Sequence, residues 1–103
     1  MIFRRRFADI VERQLDLFAG EQAGLIQDCE VAVRAYDNAP RDEAEERYGD
    51  YLDLVETGTE ILAALRDTFA STLDPDAVEE YEASFNRAVA RRFPRFALEI
   101  EET

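Results

Sequence analysis

The chain has 103 residues and a formal net charge of −12, from 24 carboxylates against 12 basic residues. That length supports one hydrophobic core, burying roughly 60–70% of the unfolded surface, without room for a large enclosed cavity. Histidine, lysine and tryptophan are absent, which excludes Ser-His-Asp and Cys-His catalysis, zinc sites built from His and Cys, the Glu-x-x-His pairs of di-metal bundles and a Schiff-base lysine.

The first predicted element is a long helix over residues 3–37. Phe3, Phe7, Ile10, Val11, Leu15, Leu17 and Phe18 recur at three- and four-residue steps, and Leu25, Ile26, Cys29, Ala32, Val33 and Tyr36 resume the pattern. Gly20 and Gly24 lie between the runs, and each glycine costs about 1 kcal/mol in a helix interior. The apolar phase carries across them, so the spacing predicts one helix kinked or broken near Gly20, with two shorter helices as the alternative. The GxxxG spacing itself reads as close helix packing, because a charged helix is the wrong setting for the membrane motif.

Asp37-Asn38-Ala39-Pro40 ends this element. Asn38 tolerates a left-handed cap, and Pro40 disfavours helical backbone at Ala39. A second long helix follows over about residues 41–73, with Asp42, Glu43, Glu45 and Glu46 in its first turns, where the helix dipole favours carboxylates. At 100° per residue, Tyr48, Tyr51, Leu52, Val55, Leu62, Leu65 and Phe69 gather on one side. Gly58 lies in the same seam, where a missing side chain admits a close neighbour. Leu54 and Ile61 widen that arc beyond what one partner helix requires.

Asp74-Pro75 supplies an N-cap residue and a first-turn proline for a shorter third helix reaching about Arg92, with Val78, Tyr81, Phe85, Ala88 and Val89 on one face. Pro94 stops or kinks it. In the tail, residues 94–103, Phe96, Leu98 and Ile100 alternate like a strand, while Phe93, Phe96, Ala97 and Ile100 suit a helix equally. No linker or repeat divides the chain. The expected fold is a single all-α domain over residues 1–103, an antiparallel three-helix bundle with two long helices and a shorter third.

The charge is concentrated. Residues 37–82 carry three arginines and 15 carboxylates, a net −12, while the flanking segments nearly cancel. A surface of that sign opposes contact with nucleic-acid phosphates. No run of 18 apolar residues suggests a membrane span. Arg4-Arg5-Arg6-Phe7 starts like a twin-arginine export signal, but Asp9, Glu12, Arg13 and Asp16 interrupt the apolar stretch such a signal requires. The expectation is a cytoplasmic protein.

Four features could carry function. Glu43, Glu46, Asp50 and Asp53 form an ExxE and a DxxD pair on the polar side of the second helix, oxygen donors of the kind Mg²⁺ or Mn²⁺ accepts. Helical nucleotide pyrophosphohydrolases of the MazG type use such pairs. They carry them on separate helices, whereas here the spacing is shorter and one pair begins with Asp. A solvated charged face is the plainer account. Leu54, Gly58, Ile61 and Leu65 are candidates for a homodimer seam. Tyr48 and Tyr51 read as core residues with hydroxyls at the rim, or as the lining of a pocket beside Phe85 or Phe93. The arginine–aromatic clusters, Phe3 to Phe7 and Arg91 to Phe96, pair most simply with internal acids: Arg91, Arg92 and Arg95 with Asp42, Glu43 and Glu46, and Arg4 to Arg6 with Asp67, Asp74 and Asp76. The alternative is an anionic membrane or acidic partner met by Ile2, Phe3, Arg4, Arg5, Arg6 and Phe7. Cys29 sits on an apolar face, which suits an inert buried thiol. The leading expectation is therefore a non-enzymatic protein acting through protein–protein contact and self-association without a cofactor. A Mg²⁺- or Mn²⁺-dependent hydrolase is the alternative.

Overall fold

The computed structural model describes residues 6–100, and the regular structure among them is helix, joined by short turns. Five helices stand where three were expected: α1 (Ala8–Glu21), α2 (Ala23–Asp37), α3 (Ala44–Ala70), α4 (Pro75–Arg92) and α5 (Pro94–Ile100). The predicted first helix is divided at Gln22, two residues beyond Gly20. Gln22 leaves helical geometry at φ −110°, ψ 26°. Its N–H still donates to the Phe18 carbonyl at 2.8 Å, and the Ile26 N–H donates to its own carbonyl at 3.0 Å. The bend therefore sacrifices little hydrogen bonding. The apolar phase survives it: Val11, Leu15 and Phe18 are buried before the break and Cys29 after it. Gly20 and Gly24 have nothing within 4 Å of where a Cβ would lie, so the expected close packing at GxxxG is absent.

α2 ends beside Asn38, whose φ of −100° is not the left-handed cap expected of it. Pro40 lies in the turn that follows, and α3 starts three residues later than the sequence pattern suggested. Asp74 takes extended backbone at φ −61°, ψ 143° ahead of Pro75, as a residue preceding proline prefers. The tail resolves as helix, so Pro94 starts α5 after a one-residue break at Phe93.

Side-chain pairings give the helix directions. Tyr36 meets Tyr48 with ring centroids 5.0 Å apart, setting the end of α2 beside the start of α3. Phe69 lies 4.9 Å from Tyr81, so α3 and α4 are antiparallel. Phe7 packs on Tyr81 and Phe18 on Phe93, at 5.5 and 5.2 Å, so α1 and α4 run the same way. The core comprises Phe7, Val11, Leu15, Phe18, Leu62, Tyr81, Phe85, Val89 and Phe96, with smaller residues between them. Edge-to-face aromatic pairs are worth about 0.5–1.5 kcal/mol each beyond area burial.

Helix length determines the shape. α4 has 18 residues and α3 has 27, about 27 and 40 Å at 1.5 Å per residue. α4 therefore reaches only partway along α3. α1, α4, α5 and the C-terminal half of α3 form a closed body, from which α2 and the N-terminal half of α3 extend as a two-helix hairpin. The molecule measures 51 × 23 × 23 Å.

Candidate interaction surface

On α3, Tyr48, Leu52, Val55, Thr59, Leu62, Arg66 and Phe69 follow alternating four- and three-residue steps, the spacing of a heptad seam. Val55, Thr59, Leu62 and Arg66 are buried. Against the body-side half lie α4 and α5: Arg66 Nη1 donates to Asn86 Oδ1 of α4 at 3.0 Å, and Phe96 of α5 covers Gly58. A Cβ at Gly58 would stand 2.7 Å from Phe96 Cζ, so this glycine is the notch that α5 requires. Thr59 returns its hydroxyl to the Val55 carbonyl at 3.0 Å, which satisfies it inside the seam. Two turns toward the N-terminus the cover ends. Tyr48 is 44% exposed and Leu52 43%, although both continue the same stripe.

These residues form one side of a groove along the hairpin. Tyr36, Tyr48 and Tyr51 make an aromatic ladder, with Tyr48 and Tyr51 centroids 6.3 Å apart. Its inner end opens into a cleft of about 610 Å³ lined by Ile26, Glu30, Tyr51 and the Arg92–Phe96 turn. Arg95 closes that end. Its Nε donates to the Tyr51 hydroxyl at 2.9 Å, its Nη1 to Glu30 Oε1 at 3.2 Å, and its guanidinium lies 5.6 Å from the Tyr51 ring centroid. Burial works against the charge on Arg95, but the Tyr51 hydroxyl and Glu30 outweigh it and hold the pKa above the ordinary arginine value. Tyr48 is thus a surface residue, contrary to its expected place in the core, and Tyr51 faces Phe93 across the cleft, away from Phe85.

On the opposite side of the hairpin, Val31, Ala32, Ala35 and Leu54 line a shallow trough of about 320 Å³, bordered by Asp28, Arg47 and Asp50. Val31 is 52% exposed there. Of the residues suggested for a dimer seam, Leu54 lies in this trough, while Ile61 and Leu65 are half-buried against the body. Gly58 belongs to the other flank, where α5 occupies its space from within the chain.

The carboxylate pairs do not converge. Arg47 lies between Glu43 and Asp50, at 3.5 Å from each, and Glu46 and Asp53 are exposed. Among the described residues no three His, Cys, Asp or Glu side chains come together as a metal site. Cys29 is fully buried, and burial pushes its thiol pKa up, with Arg95 opposing in part. A buried neutral thiol is a poor nucleophile.

The arginine clusters pair internally, but with different acids from those expected. Arg91 and Arg92 bind Glu12 at 2.9 Å each, and Arg92 also binds Asp16 at 2.9 Å. Arg95 takes Glu30, and Arg6 lies 3.8 Å from Glu80. The expected partners Asp42, Glu43 and Glu46 are beyond the reach of α4, which ends near the middle of α3. Ile2, Phe3, Arg4 and Arg5, the rest of the proposed membrane-facing cluster, lie outside the described residues. No described helix is long and apolar enough to cross a membrane.

Sequence periodicity missed two buried polar links. Tyr81 is fully buried and donates its hydroxyl to Gln14 Oε1 at 2.8 Å. Arg66 is buried with Nε 2.9 Å from Asp67 Oδ1 as well as its bond to Asn86. A signal for Arg66 was its place on the heptad seam. Against known proteins the chain stands apart: no family model, curated protein or solved structure matches it.

Proposed function

We propose that this chain works by binding other polypeptides, including a second copy of itself, through the hairpin of α2 and the N-terminal half of α3. The observation that carries this reading is the exposure of Val31, Tyr48 and Leu52 on the part of the hairpin that α4 does not reach. Two-helix units gain core by pairing, and symmetric dimers are the commonest solution. The trough suits a two-fold contact. Ala32 and Ala35 allow close approach, Val31 and Leu54 supply apolar area, and Arg47 between Asp28 and Asp50 gives the rim both signs. A two-fold axis through the trough would set each Arg47 opposite its partner's carboxylates.

Light scattering after size exclusion, over a hundredfold range of concentration, tests this reading. The expected result is a dimer at micromolar concentration that Val31→Glu converts to monomer without changing the circular dichroism spectrum. A monomer at every concentration would remove self-association. For the Mg²⁺- or Mn²⁺-dependent hydrolase alternative, calorimetric titration is decisive: heat saturating at millimolar metal, with a raised Tm, would reinstate it.

A further inference from the structure

The groove beside Tyr48 and Leu52 differs from the trough in shape and charge. Its floor is the continuation of the α3 seam on which this chain already seats α4 and α5. The position is therefore shaped for a helix, not for an extended strand or a small molecule. The uncovered stretch of α3, Ala44 to Asp53, spans 10 residues, or about 15 Å and nearly three helical turns.

The rim determines which helix fits. At 100° per residue, Glu45 and Glu56 fall just outside Leu52 on α3. Asp37 follows Tyr36 at the end of α2, and all three carboxylates are exposed. Arg47 lies on the trough side, and Arg95 at the inner end is engaged with Glu30 and Tyr51. Two copies meeting groove to groove would oppose these three rim carboxylates with the same three, and like charges at a contact cost affinity.

We infer that this groove is the docking site for a basic amphipathic helix of about three turns on a different protein. The helix occupies the position that α4 is too short to fill. Apolar residues at i, i+3 or i+4, and i+7 rest on Tyr36, Tyr48 and Leu52, and flanking Arg or Lys reach Asp37, Glu45 and Glu56. This inference rests on the hairpin being the binding region, but it is independent of the dimer, which uses the other face.

The test uses the full chain and three labelled synthetic 14-residue peptides, read by fluorescence anisotropy. The first is amphipathic with Leu on one face and Arg and Lys beside it. The second has the same composition in scrambled order, and the third replaces every basic residue with Glu. The expected result is that the first binds at least tenfold more tightly than either other peptide. Raising salt from 50 to 500 mM should weaken that binding, and Leu52→Asn should weaken it at least tenfold while Val31→Glu leaves it unchanged. Equal binding of the scrambled peptide would reduce the attraction to charge alone and overturn the proposal. Insensitivity to Leu52→Asn would place the peptide elsewhere and overturn it too. If light scattering shows a dimer that Leu52→Asn abolishes and Val31→Glu does not, a second copy fills the groove and the basic-helix assignment is wrong. An unchanged Tm in Leu52→Asn excludes unfolding as the cause of lost binding.

Discussion

The two halves of α3 carry one spacing and meet two environments. In the C-terminal half, Leu62 and Arg66 face α4, and Tyr81 and Phe85 close over the seam. In the N-terminal half, Tyr48 and Leu52 hold equivalent positions and face water. The difference comes from the length of α4, not from any change in the character of α3. Stability should therefore reside in the body and binding in the hairpin, and substitutions that interrogate each half can separate these roles.

The largest effect is expected inside the body. Phe85 is fully buried, so Phe85→Ala should cost about 3–5 kcal/mol through lost burial and the cavity left behind. Urea titration followed by circular dichroism measures it, and a cost below 1 kcal/mol would deny the body its role. Next comes alkaline pH. Burial pushes the Tyr81 hydroxyl up to about 12, with the charge on Arg66 opposing in part. Its pKa is raised on folding, so its contribution is complete below pH 10, the unfolded value, and is lost as pH rises through about 12. A shift of that size corresponds to about 2–3 kcal/mol. Stability measured from pH 9 to 12 should fall in wild type and fall less in Tyr81→Phe.

A smaller effect is expected at the boundary between the halves. Gly58→Ala gains helix propensity but drives the new methyl into the Phe96 ring, for a net loss of about 1–2 kcal/mol. Phe96→Ala removes the obstruction, so Gly58→Ala should be neutral or stabilising in that background, and a double-mutant cycle reads the coupling directly. The smallest effect belongs to the hairpin surface. Leu52→Asn and Tyr48→Ser should each change stability by no more than about 0.5 kcal/mol. A loss as large as that of Phe85→Ala would mean that the groove is already part of a core, and the contrast between halves would fail.

Much of this architecture was legible because it rests on local rules. Pro40 and Pro75 mark helix boundaries through backbone chemistry alone, and the buried positions of α1 and α4 follow helical periodicity. Gly58 was readable as a notch, although nothing local named Phe96 as its occupant. The break at Gln22 was harder to place. Two weak helix formers flank it, and tertiary packing selects which peptide bends. The tail was ambiguous because Phe96, Leu98 and Ile100 suit either period, and contact with α3 favours helix. The candidate surface was least legible. Periodicity identifies Tyr48 and Leu52 as apolar-face residues, but it cannot report that the helix meant to cover them ends too soon. The same shortfall misdirected the arginine partners, since Arg91 and Arg92 meet Glu12 and Asp16 once α4 is placed alongside α1.

Cys29 is the one thiol in the chain, and it is the fully buried residue of α2. Its elevated pKa and lack of exposure keep it unreactive while α2 is in place. A thiol reagent therefore acts as a clock for the hairpin. The rate at which it labels Cys29 counts the moments when α2 lifts from α3, and amide hydrogen exchange along α2 should report the same opening free energy. A ligand seated across both hairpin helices slows that clock, whichever face it occupies. Occupancy can thus be timed in the native sequence with no introduced label.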